Sequence, residues 1–521
     1  MSLTRRYFFP TLAGAGLGAT FSESLFAQSG PFQHGVASGD PLTDRVILWT
    51  RVTLPASSET VFVEWEMALD PRFSTVVRRG LSSTSPAFDF TVKVDAARLE
   101  PGTTYYYRFI LRGGPASPIG RTRTLPLGSL SRLRFAVASC SNYPVGYFNA
   151  YRLIANRHDL DFVMHLGDYI YEYADDTFGS GTATGRSPIP NKEIVSLSDY
   201  RQRHAQYRTD VDLQEAHRQH PFIVVWDDHE SANNAWKGGA QNHQPETEGD
   251  WQARKAAATQ AWLEWMPVRE NPTLGLIYRA FRFGDLMDLS MLDTRLIGRD
   301  EQVSPTSSEV ANPNRSLLGA EQHDWFLNQL SASKFRNTRW RFVGQQVMMA
   351  QLVTRTGTPF NTDQWDGYRA SREGVLEHLR NRSIDNVVVL TGDIHSSWAN
   401  EVAIDALSAL PVRNAPRAVE FVGTSVTSTT GLEDPAVSTP LENEIQERLP
   451  HVKYVNFSKR GYLLIDLDRD RAQGEWYHLD TVATPSLAQT YARGMLTAAG
   501  SNRLTDSAGA SVPPAGPPPA P

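Results

Sequence analysis

The chain has 521 residues, with 51 Lys and Arg against 57 Asp and Glu and a formal net charge of −6. That balance excludes a general polyanion binder, which needs a basic excess or stripe, and 40% hydrophobic with 21% charged residues excludes wholesale disorder. The length suits several domains or one large core with an attachment, the 37 Gly and 32 Pro favour a loop-rich α/β or β-containing chain over a helical bundle, and the single cysteine, Cys140, allows no intramolecular disulfide.

Residues 1–27 read as an export signal. Arg5-Arg6 followed by Tyr7-Phe8-Phe9 has the form of a twin-arginine signal. The apolar run from Pro10 to about Ala19 is too short and too rich in glycine to span a bilayer. Gly14, Gly16 and Gly18 imitate part of a dinucleotide fingerprint, but no strand precedes them, which removes that reading. Cleavage is expected after Ala27, although Leu25 is larger than the ideal small residue. The expectation is a monomer passed to the twin-arginine export machinery and working in the bacterial periplasm or outside the cell. No other segment is apolar and long enough for a membrane span.

From residue 32 to 126, Val46–Val52, Val61–Met67, Phe88–Val94 and Thr104–Leu111 alternate apolar and polar residues at period two. Short strands at this spacing predict a β-sandwich, and nothing in it has catalytic character. Residues 132–490 have another texture. The apolar runs Leu133–Ser139, Leu160–Leu166, Phe222–Trp226, Trp340–Gly344 and Val387–Leu390 alternate with helix-like segments at Tyr147–Arg157, Leu197–His217, Gln252–Met266 and Gly319–Leu330. Doubly buried strands separated by helices predict an α/β layered domain. Tyr462–Leu467 and Gly474–Leu479 read as a hairpin turning at Arg469–Arg471, and residues 501–521, rich in proline, are expected to be disordered.

Four of those five runs end in residues able to bind a metal: Cys140, then Gly167-Asp168-Tyr169-Ile170-Tyr171, then Asp227-Asp228-His229-Glu230, then Gly392-Asp393-Ile394-His395. In parallel α/β sheets ligands gather beyond the carboxyl ends of the strands, so four clusters at equivalent ends predict one shared site. The ligand types then suggest the ions. Thiolate, phenolate, imidazole and carboxylate from Cys140, Tyr171, His395 and Asp168 suit trivalent iron. Asp228 and Asp393 offer hard oxygen, suited to calcium, magnesium or manganese, and Asp168 can bridge two cations. Hydroxide held by such a pair is a nucleophile at neutral pH, and metals about 3.5–4 Å apart stabilise in-line displacement at phosphorus.

Each residue also has a plainer role. Cys140 taken alone is a small buried hydrophobe, Tyr171 taken alone packs with Tyr169 and Tyr173, and His229 serves as a structural hydrogen bonder. Of Asp227 and Asp228, one caps a following helix and the other binds. His204, His217, His220 and His243 read as ordinary surface or helix histidines. Gly423–Thr427 lacks the second glycine of a nucleophile elbow, no phosphate-binding Walker loop occurs, and one cysteine cannot make a two-cysteine zinc site.

Together these motifs resemble the calcineurin-like metallophosphoesterases, and among them the PhoD-type alkaline phosphatases. Gly167-Asp168 matches the family's G-D, Asp227–Glu230 stands in for G-N-H-[DE], and Gly392–His395 stands in for G-H-x-H. Cys140 replaces the opening D-x-H and aspartates replace Asn and His, departures that the PhoD type shares. Further matches run through His34–Asp40, Leu292–Arg295, Gly344–Ala350 and Trp365–Arg369. The resemblance spans about residues 32–490. It implies a four-layer α/β/β/α metallophosphoesterase domain of two mixed sheets, preceded by a fibronectin type III-like β-sandwich. It also implies one Fe3+ on Cys140, Asp168, Tyr171 and His395, and Ca2+ on Asp168, Asp228 and Asp393. A second calcium with bound phosphate has no assigned ligands, and His229 is placed beside the substrate as the catalytic residue. Some members close the site with a C-terminal helix, for which only Leu487–Leu496 is available here.

The activity so implied is hydrolysis of phosphate monoesters, and of diesters too, by attack of a metal-held hydroxide. Small phosphate esters or phosphodiester polymers are the expected substrates, with no specific nucleic acid. A phosphodiesterase or phospholipase D-like preference is the near alternative. A catalytically silent binding protein on the same fold, with the sandwich as its working module, is the distant one.

Overall fold

The period-two runs near the N-terminus become strands in a computed structural model, which describes residues 30–54, 59–270 and 275–521. The expected signal at 1–27 lies outside the described residues. Seven strands come first: β1 (Val36–Gly39), β2 (Arg45–Arg51), β3 (Val61–Ala68), β4 (Val76–Thr84), β5 (Thr91–Ala97), β6 (Thr104–Leu111) and β7 (Gly120–Arg123). β5 starts later than the alternation suggests, because Pro86–Phe88 form a 3-10 turn and Asp89 and Phe90 adopt left-handed backbone. A four-stranded sheet, β4-β3-β6-β7, packs over β1, β2 and β5. Val46, Leu48, Val92 and Val94 of one layer meet Val63, Met67, Tyr107 and Phe109 of the other, as a β-sandwich requires.

The remaining strands are β8 (Arg132–Ala138), β9 (Phe162–His165), β10 (Pro221–Val224), β11 (Arg279–Phe283), β12 (Met287–Met291), β13 (Trp340–Gly344), β14 (Val387–Thr391), β15 (Ser397–Ala403), β16 (Pro416–Val422), β17 (Val452–Asn456), β18 (Gly461–Asp468), β19 (Arg471–Leu479), β20 (Gln489–Ala498) and β21 (Thr505–Asp506). One sheet has the order β21-β20-β19-β18-β8-β9-β10-β1-β2-β5, the other β11-β12-β13-β14-β16-β15-β17. Both are mixed: β8, β9, β10 and β1 run parallel in the first, and β12, β13, β14 and β16 in the second. Every residue of β9, β10, β13 and β14 is buried, which accounts for their unbroken apolar runs.

The sheets face each other. Phe135 of β8 meets Phe342 of β13 edge-on at 5.8 Å, and Gly474 of β19 lies so close to the Phe421 ring of β16 that an added Cβ would stand 3.0 Å from it. Outside the second sheet, Phe326, Leu330, Val375, Leu376 and Leu379 of helices Gly319–Phe335 and Arg369–Asn381 cover Val343, Val387 and Val389. Each large apolar side chain taken from water there stabilises by roughly 1.5–3 kcal/mol. The first sheet is covered through Leu213, Ala216, Ala258 and Trp262 of helices Val211–Gln219 and Trp251–Trp265. The four expected layers are therefore present. The sandwich is not set apart from them, because β1 pairs in parallel with β10, making β1, β2 and β5 one edge of the ten-stranded sheet.

Several expectations are corrected. Leu197–His217 is two helices, Leu197–Tyr207 and Val211–Gln219, because Asp210 accepts hydrogen bonds from the backbone of Asp212 and Leu213 and starts a new helix. Leu487–Leu496 supplies no helix; this stretch enters β20, paired antiparallel with β19. Residues 501–521 are not a free tail. Proline carbonyls lack a local N–H partner and accept from side chains instead: Tyr106 donates to the Pro518 carbonyl at 2.6 Å, Arg121 to that of Pro517 at 3.0 Å, and Gln219 exchanges two hydrogen bonds of 3.0 Å with the Ala520 backbone. His204, His217, His220 and His243 are all buried rather than superficial. No helix of the described residues is long and apolar enough to cross a membrane.

Candidate active site

The carboxyl ends of the parallel strands in both sheets converge on one place. β8 leads to Cys140, β9 to Asp168 and Tyr171, and β10 to Asp227, Asp228 and His229. From the second sheet β12 leads to Arg295, β14 to Asp393 and His395, and β16 to Ser428. Cys140, Asp168, Asp393 and His395 all hold left-handed backbone, with φ of 62°, 53°, 62° and 57°. That conformation costs a non-glycine residue about 1 kcal/mol or more, and it clusters at functional sites. Two glycines permit the close approach of the loops. At Gly167 (φ 104°) an added Cβ would stand 2.4 Å from the Asp227 backbone nitrogen, and at Gly392 another would stand 2.8 Å from Ser139 Oγ.

All seven residues singled out in the sequence meet here. Ligand atoms of Cys140, Asp168 and His395 lie within 4.8 Å of one another, as do those of Asp168, Asp228 and His229, and those of Asp227, Asp228 and Asp393. The Tyr171 hydroxyl donates to Asp168 Oδ2 at 3.0 Å and lies 3.2 Å from His395 Nε2, which adds it to the first group. Asp168 belongs to two groups and is 1% exposed, yet its Oδ1 has no hydrogen-bond partner. A buried carboxylate oxygen left without a donor is what a bridging cation would satisfy.

The electrostatics point the same way. Burial, then the Asp168 carboxylate, push the Cys140 thiol well above its ordinary pKa, and burial with the charges of Asp168 and Cys140 does the same to the Tyr171 phenol. Without a cation both groups keep their protons; a metal ion bound between them would favour their loss. Burial also raises Asp393 to about 6 and, together with Asp168, Glu230 to about 8. Asp228 shows the opposite balance: burial opposes its charge, but Arg295 and His229 hold it near 2. Burial alone would strip His229 of its proton, yet the carboxylates of Glu172, Asp168 and Asp228 together carry its pKa well above the usual histidine range.

The family model for PhoD-like phosphatases matches residues 135–476, and that for their N-terminal domain matches residues 19–126. The chain belongs to the PhoD-like phosphatase family. Alkaline phosphatase D of Bacillus subtilis (strain 168) is 39% identical over 510 residues, covering 92% of this chain and 84% of that protein. A solved structure of PhoD superposes with a TM-score of 0.84 at 36% identity, covering 93% of this chain and 94% of its own. This PhoD-like chain is accordingly a phosphatase.

The motifs shared with PhoD-type sequences also contain residues whose work the sequence left unassigned. Arg295, from Leu292–Arg295, is wholly buried. Its Nε donates to Asp227, its Nη1 to both oxygens of Asp363 at 2.9 and 2.8 Å, and its Nη2 to Asp393, 3.6 Å from Asp228. Asp227 is thus a guanidinium partner, not a helix cap; no helix follows it before residue 245, and Asp228 turns its own oxygens to the backbone of His229 and Asn234. Glu230 ties the β9 and β10 loops together by accepting from the backbone of Asp227, Asp168 and Tyr169. Glu172 accepts from His229 Nδ1 at 2.7 Å and is itself held by the Asn233 backbone and the Asn242 amide. Gln346, from Gly344–Ala350, laces the ends of β10 and β12 by donating to the carbonyls of Trp226 and Leu292. Phe178 stacks near His229 and Tyr171, at 6.1 and 5.9 Å. A shared position, such as Arg295 in its motif, was the one sequence signal for these residues; the spacing of a lone Arg, Glu or Phe carries none.

Proposed function

We propose that the protein is an exported, metal-dependent phosphatase that hydrolyses phosphate monoesters, and diesters as well. In this reading Cys140, Asp168, Tyr171 and His395 hold Fe3+, and Asp168, Asp228 and Asp393 hold Ca2+. The observation that carries it is the pair of donor groups sharing Asp168, one with soft and phenolic donors and the other purely carboxylate. Such ions supply a nucleophile at neutral pH and offset the charge gathering on the phosphoryl oxygens.

The chain's own residues do the rest. Glu172 fixes the orientation of the His229 ring by accepting from Nδ1–H, leaving Nε2–H to donate to a phosphate oxygen or to the departing oxygen. Tyr171 and Phe178, on the His229 ring at 4.2 and 6.1 Å, keep it from rotating away. Arg295 holds Asp228 and Asp393 in place and cancels part of their mutual repulsion. Export rests on Arg5-Arg6 and the short apolar run behind them.

The test is turnover of an aryl phosphate monoester and its matching diester by protein purified after export, before and after chelation. Monoester turnover should disappear on chelation and return with added calcium. Diester-dominated turnover would make the enzyme a phosphodiesterase at the same site, and no turnover of either ester by metal-loaded protein would leave a binding protein. Iron has its own signature. An iron(III) phenolate absorbs visible light, so the purified protein should be coloured and Tyr171→Phe should bleach it. A colourless, iron-free and fully active protein would refute the iron assignment.

A further inference from the structure

The candidate site is open on one side. Side-chain exposure rises from 1% at Asp168 and 3% at Asp228 to 7% at His229, 12% at His395 and 14% at Asp393. A ligand therefore meets His229, His395 and Asp393 before the deeper carboxylates. On that side stands Phe178, half-buried, from the long connection between β9 and helix Leu197–Tyr207. Its ring centre lies 6.1 Å from those of both His229 and His395, which come from different sheets. Tyr173, also half-buried, is 5.7 Å from Phe178 and 5.5 Å from His229.

The Phe178 ring is held in place by the loop that carries it. Asn142, 1% exposed and two residues beyond Cys140, donates its amide to the Phe178 carbonyl at 2.8 Å. Gly179 has φ 91°, and an added Cβ there would stand 2.3 Å from Val145 Cγ2. Asp175 accepts from the Gly181 backbone at 2.7 Å and from Ser187 at 2.6 Å, which closes the loop on itself. A ring fixed in this way loses little further freedom when a ligand packs on it. Its position also follows the chemistry of the site. His229 serves the phosphate or the departing oxygen, so the organic group of the ester lies on the side of Phe178 and Tyr173.

We propose that Phe178, with Tyr173 beside it, is an aromatic subsite for the organic group of the ester and favours flat aromatic groups over saturated ones of equal size. The proposal rests on the phosphatase reading above and narrows its substrate class to esters with an aromatic ring next to the phosphate. Phe178 is on this view a specificity-determining residue as well as a support for His229.

The experiment compares benzyl phosphate with cyclohexylmethyl phosphate in metal-loaded full-length enzyme. Both are esters of primary alcohols with the same carbon count, and the saturated one is the more apolar, so burial of apolar area alone would favour it. Stacking on Phe178 should instead make kcat/KM about three- to tenfold higher for the benzyl ester, in KM rather than kcat. Phe178→Leu should bring the ratio to about one, even where it slows both esters together by loosening His229, and Phe178→Trp should keep the preference. Gly179→Ala, which retains the ring but forces it off Val145, should lower the ratio as well. Calorimetric affinities for the matching benzyl- and cyclohexylmethylphosphonates, which are not hydrolysed, should show the same selectivity and the same loss in Phe178→Leu. A wild-type ratio of one or below, or a preference that survives Phe178→Leu, overturns the subsite while leaving the phosphatase intact. Absence of turnover of both esters by the wild type overturns the phosphatase reading and the subsite with it.

Discussion

Asp168→Asn is expected to lower phosphate-ester hydrolysis by at least about a thousandfold while leaving the protein folded. The carboxylate stands in two of the three donor groups, so replacing it by an amide of the same shape takes a charged donor from both at once. Its Oδ2 accepts from Tyr171 at 3.0 Å, a bond the amide oxygen can keep, so the loop should hold its conformation. The charge change also carries a stability effect of opposite sign. Asp168 raises the pKa of Asp227, Glu230 and Asp393, which means that its charge repels theirs when no cation is present. Metal-free Asp168→Asn should therefore unfold at a higher temperature than metal-free wild type, by an amount worth about 1 kcal/mol. Paired activity and thermal-unfolding measurements on the stripped proteins check both signs. Equal activity in the variant would remove Asp168 from the bridging role.

Arg295→Met should be the most damaging single change to the fold of the site, destabilising by about 3–5 kcal/mol. The side chain is wholly buried and bonded to Asp227, Asp363 and Asp393, so its loss leaves the buried Asp227 and Asp393 without their guanidinium and Asp363 with Arg299 as its remaining cation. Lysine should not rescue it. A point charge on a flexible stem cannot reproduce the fork that meets both oxygens of Asp363 while reaching two further acids. Denaturant unfolding of the two variants with the wild type, alongside calcium titration, measures the effect. Added calcium should recover part of the stability of Arg295→Met, because both cations serve the same carboxylates.

The site was legible in the sequence to the extent that its residues sit at strand ends. Cys140, Asp168, Asp228 and Asp393 each follow a short apolar run, and parallel sheets bring such ends together whatever the intervening loops do. Position along the chain could not show that β8, β9 and β10 lie in one sheet and β12, β14 and β16 in another, so that the site forms between two sheets rather than above one. Nor could alternation show what a residue's neighbour would be. Either Asp227 or Asp228 reads as a cap by type and local context, and Asp227 becomes the partner of a guanidinium 68 positions away. The tail misled for a related reason: composition shows that 501–521 cannot bury an apolar core, but hydrogen bonds from Tyr106, Arg121 and Gln219 to its carbonyls hold it without one. β20 was missed because its pairing with β19, rather than a pattern of its own, makes it a strand.

The way β18 enters the first sheet sets the order in which the molecule can be completed. β8 lies between β9, which follows it closely, and β18, whose Leu463 to Asp468 pair with Val137 back to Arg132. Until residues beyond 460 have been synthesised, one side of β8 is an open apolar edge. β1 likewise waits for β10, with Ser38 opposite Pro221. A growing chain thus carries the open side of β1 until β10 is made and that of β8 until β18 is made, the kind of surface that recruits the wrong strand. The β18–β19 hairpin closes the second of them late, when little of the chain remains to be made.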